Sequence, residues 1–152
     1  MTREPPLTPG GMAFSELVLE VFRLNGLALQ AGDALTAPCL LTSARWQVLG
    51  VVDHSPAPVA HIARTMGLTR QSVQLTANAL ARDGFVSYAD NPHHRTAQLV
   101  VITGTGRRAL RQVERRHATW ASRLGERLGR AKLRTLVEGL RDVRAVLEEA
   151  VA

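Results

Sequence analysis

The sequence predicts a mainly α-helical chain with one small β-hairpin, and three observations support this fold class. Apolar residues recur every three or four positions through most of the 152 residues, which is the period of amphipathic helices. Two short runs rich in β-branched and aromatic residues, at about 85–89 and 97–103, flank a polar loop. Hydrophobic residues make up 45% of the chain, an ordinary share for a protein with a packed core.

The N-terminal part is predicted to form an arm and then two helices. Residues 1–11 contain three prolines and two glycines without apolar periodicity, and are predicted to be a mobile arm. Apolar residues from Phe14 to about Asp33 recur at helical spacing, which indicates a first helix with a broad apolar face. A second helix follows, with Thr42 as its N-cap and residues 44–52 as its body.

The middle of the chain has the spacing of two helices that meet at a tight turn. A short helix is predicted from about Val59 to Met66, and a further helix, capped by Thr69, to about Arg82. Gly67 supplies the positive φ that the turn between them requires.

Packing explains the residue types at this turn. A small residue at Ala63 lets the two helices approach, and an apolar residue at Val73 holds the second helix against the first. The rest of the small core is predicted to be Ile62, Leu68 and Leu80. This pattern predicts a helix-turn-helix, in which the N-terminal residues of the second helix enter the DNA major groove.

The two β runs behind this motif would form a hairpin, the wing of a winged helix-turn-helix. The polar tip at 91–95 places Arg95 where it could reach the adjacent minor groove. Two long helices with coiled-coil-like seams follow, one after Gly104 and one after an interruption at Gly129.

The positive charge is concentrated in the middle of the chain. The net charge is +6, from 18 Arg and one Lys against 13 acids. Residues 58–116 carry a net +6, whereas residues 1–57 carry −2 and residues 117–152 carry +2. Because the excess coincides with the helix-turn-helix and the hairpin, it favours a polyanionic partner at that place. A solvated basic face and an anionic membrane surface are the alternatives that charge alone leaves open.

Other function classes find little support. The single cysteine, Cys39, excludes a disulfide scaffold, and the five histidines lack a recognisable ligand spacing, so no metal site is predicted. No nucleophile-elbow, glycine-rich phosphate-loop or H-E-x-x-H motif occurs. We therefore expect that the protein is not an enzyme, that it has no catalytic residues and that it binds no cofactor. No apolar run approaches the ~18 residues of a membrane span, and no secretory signal is evident, so a cytoplasmic protein without a membrane partner is expected.

Taken together, the chain resembles the MarR family of bacterial winged-helix transcription regulators from about Phe14 to Val151. The order and spacing of five stretches carry the resemblance. They are LTSARWQVL at 41–49, IARTMGLTRQSV at 62–73, LARDGFV at 80–86, NPHHR at 91–95 and LVVITGTGR at 99–107.

The resemblance implies a homodimer whose two winged helices read pseudo-palindromic double-stranded DNA. Such proteins usually repress, and often release DNA when a small amphipathic or phenolic ligand binds near the dimer interface. By this resemblance residues 12–152 form the family's domain, with dimerisation helices at about 13–34 and 104–151 around a winged helix-turn-helix at about 42–103. The alternative is a winged-helix protein-interaction module without its own DNA specificity, against which the charge of residues 58–116 argues.

The predicted DNA contacts lie on the second helix of the motif, here called the recognition helix, on the wing tip and on the helix that follows. Arginine can bind guanine bidentately, glutamine can bind adenine, and hydroxyls can serve phosphates or bases. The predicted contacts are Thr69, Arg70, Gln71, Ser72, Gln74, Asn78, His93, His94, Arg95 and Arg107. Arg45 and Trp46 are predicted to line an effector pocket, and Cys39 is expected to pack in the interior rather than to sense redox state.

The chain departs from the family pattern at three positions. The family's wing usually has an Asp-Arg pair, in which the acid orients the arginine, but this chain has His94-Arg95. Either the arginine is held differently here or its grip depends on the protonation of His94. Leu75 stands at a position of the recognition helix where the family commonly has a polar or basic residue. Base reading is therefore expected to depend on Arg70, Gln71 and Gln74. Arg45 stands where the family often has glutamine.

Overall fold

The computed structural model describes residues 6–151. The chain divides into two compact units, Met1–Val113 and Glu114–Ala152. The elements in chain order are α1 (Pro9–Thr36), a 3-10 helix (Ala37–Cys39), α2 (Ser43–His54), β1 (Ala57–Pro58), α3 (Val59–Met66), α4 (Arg70–Arg82), β2 (Val86–Ala89), β3 (Leu99–Ile102), α5 (Gly104–Leu128) and α6 (Arg130–Ala150). The predicted fold class, mainly helical with a small β-hairpin wing, is confirmed. The boundary between the two units falls within α5.

The first helix begins earlier than the sequence predicts. α1 starts at Pro9, so the last residues of the expected arm, 9–11, are helical. Thr8 Oγ1 accepts a hydrogen bond from the Gly11 N–H at 3.1 Å, and Pro9 occupies a first-turn position where its missing N–H costs nothing. Residues 1–5 of the predicted arm lie outside the described residues.

Both predicted N-caps are confirmed, and they set the start of the two helices that matter most. Thr42 Oγ1 accepts a hydrogen bond from the Arg45 N–H at 3.3 Å and caps α2. Thr69 Oγ1 accepts one from the Ser72 N–H at 3.1 Å and caps α4, the recognition helix. Each cap satisfies a backbone donor that the first helical turn leaves without a partner.

The turn between α3 and α4 has the predicted geometry, but one of the residues predicted for the small core around it is not buried. Gly67 has φ +64°, and the following Leu68 N–H bonds to the Ala63 carbonyl at 2.9 Å. Ile62, Ala63, Val73 and Leu80 are buried, as predicted. Leu68 is 40% exposed, so its prediction as a core residue is wrong. It lies between Gly67 and the cap of α4, where its backbone closes α3 and its side chain turns outward.

The wing belongs to a three-stranded antiparallel sheet in the order β1-β3-β2. The hairpin pairs Val86 with Ile102 and Ala89 with Leu99. The edge strand β1 was not predicted, because two residues are too few to show alternation. Pro58 has no N–H to donate, and an edge strand tolerates this missing donor because it pairs with a neighbour on one side only. β1 attaches the segment before α3 to the base of the wing.

A single core in the first unit holds the winged helix together. It is made by residues of α2, α3, α4, the hairpin and the start of α5. Its most buried members include Val48, Leu49, Val52, Ile62, Val73, Ala77, Leu80, Val100, Leu110 and Val113. None of the helices in residues 6–151 is long and apolar enough to cross a membrane.

Candidate nucleic-acid interface

The recognition helix presents a polar face at its N-terminal end. Val73 and Ala77 are buried against the core, whereas Arg70, Gln71 and Gln74 are exposed. This division follows from the helical period, since positions 73 and 77 fall on one side. The N-terminal end of α4 therefore offers a guanidinium and two amides to solvent.

A groove of about 500 Å³ separates the recognition helix from the base of the wing. The structure brings four predicted contact residues together here: Arg70, Gln71, Gln74 and Asn78. Residues that the sequence did not single out complete it, and they are Pro58, Val59, Ala60, Tyr88, Thr96, Ala97 and Gln98. The predicted contacts Thr69 and Ser72 lie in the cap and first turn of the same helix, where Ser72 Oγ donates to the Thr69 carbonyl at 3.0 Å.

A closed triangle of hydrogen bonds links the recognition helix to the wing. Gln74 Nε2 donates to Asn78 Oδ1 at 2.9 Å and to the Tyr88 hydroxyl at 3.0 Å. The Tyr88 hydroxyl in turn donates to Asn78 Oδ1 at 2.6 Å. Burial raises the pKa of Tyr88 and outweighs the opposite effect of the Gln74 hydrogen bond, so the hydroxyl keeps its proton at neutral pH.

Sequence reasoning missed Tyr88. The only available signal was the alternation of Val86 and Tyr88 with Ser87, which shows that the tyrosine shares a strand face with a core residue. Its hydroxyl reaches α4 because β2 packs beside that helix. The apolar periodicity of a sequence does not reveal how close a strand lies to a helix.

The wing tip is shaped by local hydrogen bonds. Asn91 Oδ1 accepts a bond from the His93 N–H at 3.0 Å, and the Asn91 carbonyl accepts one from the His94 N–H at 3.2 Å. His94 Nδ1 lies 3.2 Å from Thr96 Oγ1. Arg95 is exposed, and no carboxylate of residues 6–151 pairs with it. In this chain the His94 side chain therefore interacts with the Thr96 hydroxyl and does not orient Arg95.

Arg107 lies away from the groove and takes part in an ion cluster between α2 and α5. Its Nε is 3.8 Å from Asp53 Oδ1, and Arg111 Nη2 is 2.9 Å from Asp53 Oδ2. The Asp53 side chain is only 12% exposed, while about half of the Arg107 side chain reaches solvent. Arg107 thus links α5 to α2 while about half of its side chain remains accessible to solvent.

A second cavity, of about 630 Å³, lies among α1, α2 and α3. Its lining residues are Asn25, Ala28, Leu29, Gly32, Ser43, Trp46, Gln47, Gly50, Val51, His54, Ser55, Ala57, His61, Thr65 and Met66. Trp46 is among them, but Arg45 is not. The Arg45 guanidinium instead binds Asp83 Oδ2 at 2.7 Å at the end of α4, and its side chain is 19% exposed. Arg45 does not line this cavity, because adjacent helix positions point about 100° apart, and its place in an effector pocket stays a prediction.

Two further expectations concern cysteine and metals. Cys39 is buried, in agreement with the packing prediction. Within residues 6–151, no group of three or more His, Cys, Asp or Glu side chains is arranged to hold a metal ion.

Comparison with known sequences gives one family and one group of relatives. Residues 41–95 match the model of the MarR family. An uncharacterized protein of Mycobacterium tuberculosis is 39% identical over 127 residues, which cover 84% of this chain and 89% of the relative. A protein of Mycobacterium bovis shows the same identity and coverage.

Comparison with solved structures points the same way. The transcriptional repressor CouR bound to a 23-mer DNA duplex is similar, with a TM-score of 0.73, 27% identity, and coverage of 92% of this chain and 99% of that one. CouR from Rhodococcus jostii RHA1 bound to p-coumaroyl-CoA has a TM-score of 0.74 at 21% identity, covering 84% and 90%.

Proposed function

The chain belongs to the MarR family of transcription regulators, and we propose that it is a homodimeric, sequence-specific DNA-binding repressor released from DNA by a small ligand. One observation carries this proposal. Arg70, Gln71, Gln74 and Asn78 are exposed side by side along a groove next to the wing, within the most basic part of the sequence. The proposal includes a cytoplasmic location, where bacterial DNA lies, and needs no catalytic residue, metal or cofactor.

The contact residues divide into two groups by their chemistry. We assign base reading to Arg70, Gln71 and Gln74, because guanidinium and amide groups match base edges in the major groove. We assign phosphate or minor-groove contact to the exposed wing tip, and phosphate contact to the surface part of Arg107. The remaining predicted contacts, which would bind phosphates or adjacent bases, are Thr69, Ser72, Asn78, His93 and His94.

A repressor role is supported by the similarity to CouR, which is a transcriptional repressor with a structure on duplex DNA. We propose that this chain likewise blocks transcription by occupying a pseudo-palindromic operator. The two-fold symmetry of such an operator would match the symmetry of a homodimer.

A homodimer is supported by apolar surface on the helices that the family resemblance implies for dimerisation. α1 exposes Phe22, Leu24 and Leu27, and α6 exposes Leu136, Leu140 and Leu147. Single exposed apolar residues are common on protein surfaces, but leucines exposed at helical spacing along a whole helix form a continuous apolar patch. Such a patch indicates a surface that a partner covers. The proposed occupant is a second copy of the chain.

The cavity among α1, α2 and α3 is the proposed effector site. Its lining combines the Trp46 ring with the amides of Asn25 and Gln47, and the described residues lining it include no Asp, Glu, Lys or Arg. An apolar volume with a few polar groups suits an amphipathic or phenolic ligand. The similar CouR from Rhodococcus jostii binds p-coumaroyl-CoA, whose acyl part is a phenol.

The DNA-binding proposal is tested by selecting bound sequences from a random DNA pool and then replacing Arg70. We expect Arg70→Ala to weaken binding to the selected operator by about tenfold, within the 1–3 kcal/mol that a good bidentate base contact contributes. Arg82→Ala, at the other end of the same helix, is the matched control and should change the affinity by less than about twofold. Titrations at several salt concentrations should show log K falling linearly with log salt.

Two results would contradict this proposal. Equal operator affinity of Arg70→Ala and wild type would show that the contact residues are misassigned. Absence of any salt-sensitive DNA binding, together with a stable protein partner, would instead favour the protein-interaction module.

The effector proposal is tested by filling the cavity. A Cβ on Gly50 meets no atom within 4 Å, so Gly50→Leu should place its side chain in the cavity without a clash. With phenolic acids such as p-coumarate as probes, we expect this variant to bind operator normally but to need at least about ten times more ligand for release. Ala44→Leu, on the exposed side of α2, is the matched control and should respond like wild type. Unchanged release from Gly50→Leu would place the effector elsewhere.

A further inference from the structure

We propose that Leu75 is a specificity residue of the recognition helix and that it recognises the C5-methyl group of a thymine in the major groove. The recognised group is a pyrimidine methyl, which thymine and methylated cytosine carry and which cytosine and uracil lack. This inference rests on the proposed DNA-binding function and extends it, because base reading is assigned there to polar side chains alone.

Leu75 is exposed in a part of the chain that otherwise keeps its apolar side chains inside. Among residues 41–113, all of which the structure describes, two large apolar side chains are exposed, Leu68 at 40% and Leu75 at 66%. Leu68 lies in the turn before the recognition helix, whereas Leu75 lies within that helix. Because a single exposed leucine is common on protein surfaces, the exposure of Leu75 matters through its position.

Leu75 lies on the face of the recognition helix that points away from the core. The buried residues Val73 and Ala77 are each two positions from it, which places them about 160° away around the helix axis. Gln71 comes four positions earlier and Asn78 three positions later, so these two share its face. Both are exposed, and both are assigned contacts with DNA in the proposed function. Leu75 therefore projects between two side chains that are expected to face DNA.

The position of Leu75 along the helix also suits a base contact. It is the sixth residue of α4, so its Cα lies about 7.5 Å along the axis from that of Arg70, at a rise of about 1.5 Å per residue. The major groove is about 12 Å wide and admits a helix. When the first residues of α4 reach base edges, the sixth residue therefore lies over the same stretch of the groove.

The surroundings of Leu75 favour DNA over a protein as the occupant of this face. The same face carries Gln71, Asn78 and Arg82, which are polar and exposed, and no second large apolar side chain of α4 is exposed. A protein partner would bind more readily to several apolar side chains that lie together. In addition, residues 58–116, which include the whole helix, carry a net charge of +6. One apolar group in a polar, basic surface matches one methyl group among the polar edges of DNA bases.

The chemistry of the major groove gives a leucine one favourable partner. Every base pair offers hydrogen-bond donors or acceptors there, and the thymine methyl is the apolar group. A leucine placed against a donor or acceptor removes its water without replacing the hydrogen bond, which is unfavourable. Against a methyl group, two apolar surfaces leave water together. The wild-type protein should therefore prefer thymine to cytosine at the position that Leu75 contacts.

The experiment measures the affinity of the full-length protein for operators that lack single methyl groups. The operator is first selected from a random DNA pool by wild type. Deoxyuridine then replaces thymidine at one position of both half-sites at a time, which removes the methyl group and keeps the O4 acceptor and the pairing with adenine. At one such position we expect wild type to bind about fourfold more weakly per half-site, and about 16-fold in total, as for the loss of one buried methylene-sized group.

Leu75→Ala should lose this sensitivity. It should bind the thymidine and deoxyuridine operators within about twofold, and about as weakly as wild type binds the deoxyuridine operator. Any effect of deoxyuridine on the shape or flexibility of the DNA acts equally on both proteins, so the comparison of the two removes it.

A second pair of operators separates the methyl group from the rest of thymine. Cytosine and C5-methylcytosine replace thymine at the sensitive position, and neither carries the thymine O4. Wild type should bind the methylated operator about fourfold per half-site more tightly than the unmethylated one. Leu75→Ala should not distinguish them.

Two further variants serve as controls. Leu75→Met keeps an apolar side chain of similar length and should retain the sensitivity to deoxyuridine. Leu68→Ala removes the other exposed leucine of residues 41–113 and should retain it as well. Thermal melting by circular dichroism establishes that each variant is folded.

The outcomes separate the inference from the proposed function. Loss of the methyl effect in Leu75→Ala, with the effect retained in Leu75→Met, supports methyl recognition by Leu75. Wild-type affinity that is unchanged by deoxyuridine at every thymine position overturns it, and so does an equal methyl effect in wild type and Leu75→Ala. In both of these cases the proposed DNA-binding function stands. If wild type selects no DNA motif at all, the proposed function itself fails, and the inference fails with it.

Discussion

Replacing Leu140 by aspartate should convert the proposed dimer to a monomer and weaken binding to the selected operator by about 100-fold or more. The reason lies in the sequence of α6. Leucine or valine occurs at 133, 136, 140, 143 and 147, alternately three and four residues apart, which is the spacing of a coiled-coil seam. A carboxylate in the middle of that seam would lose its hydration without gaining a partner.

The seam is accessible in the single chain. Leu136 is 50% exposed, and Leu140 and Leu147 are each 42% exposed. No residue of α6, all of which lies in the described part of the chain, is fully buried. The substitution therefore costs the isolated chain little more than a difference in helix propensity, less than about 1 kcal/mol. Its main effect should fall on association.

The effect on DNA binding follows from linkage of two half-sites. In a dimer the second winged helix binds at an effective concentration set by its tether, and this raises the affinity for a two-part operator by about 10²–10⁴. A monomer binds each half-site independently and loses that factor. Light scattering gives the mass in solution, and titration of the operator and of an isolated half-site gives the two affinities.

A matched variant separates dimerisation from charge. Ala145→Asp adds the same negative charge on the opposite side of α6 and should remain a dimer with normal affinity. If Leu140→Asp is also a dimer with wild-type affinity, the apolar stripe of α6 does not form the interface, and the assignment of this helix to dimerisation fails.

Local signals in the sequence were sufficient for the elements that position the candidate site. The caps at Thr42 and Thr69 and the turn at Gly67 depend on residues within a few positions of one another, so their residue types predict the geometry directly. The exposed face of α4 likewise follows from its period. These features place Arg70 and Gln74 correctly without knowledge of any other element.

The features that sequence reasoning missed depend on contacts between distant segments. Tyr88 reaches Gln74 only because the wing packs beside α4, and Arg107 reaches Asp53 across a large separation in the chain. Arg45 illustrates the same limit, because its partner Asp83 lies at the C-terminal end of α4, far away in the sequence. Tertiary packing determines such pairings. A single sequence gives no periodic pattern from which contacts between distant segments can be predicted.

The second large effect is expected at Gly106, in the first turn of α5. A Cβ at this position would overlap the carbonyl oxygen of Phe85 and press against Ile102 Cγ1 at 3.0 Å. The Phe85 carbonyl cannot move freely, because it accepts bonds from the Thr103 N–H and from Thr103 Oγ1, both at 3.0 Å. Thr103 Oγ1 also accepts from the Gly106 N–H at 3.1 Å, so the glycine closes a compact junction of α5 with the start of the wing.

We therefore expect Gly106→Ala to lower the free energy of unfolding by about 3 kcal/mol, since a backbone shift is needed to relieve the overlap. Gly50→Ala is the matched control: it is also a helical glycine, it has open space around its Cβ, and it should gain up to about 1 kcal/mol from helix propensity. Denaturant titrations at one fixed protein concentration compare the two, because dimer stability depends on concentration. Equal stability of Gly106→Ala and wild type would show that the junction yields at little cost. In that case the wing would be free to move relative to α5, and its position beside the recognition helix would not be set by this contact.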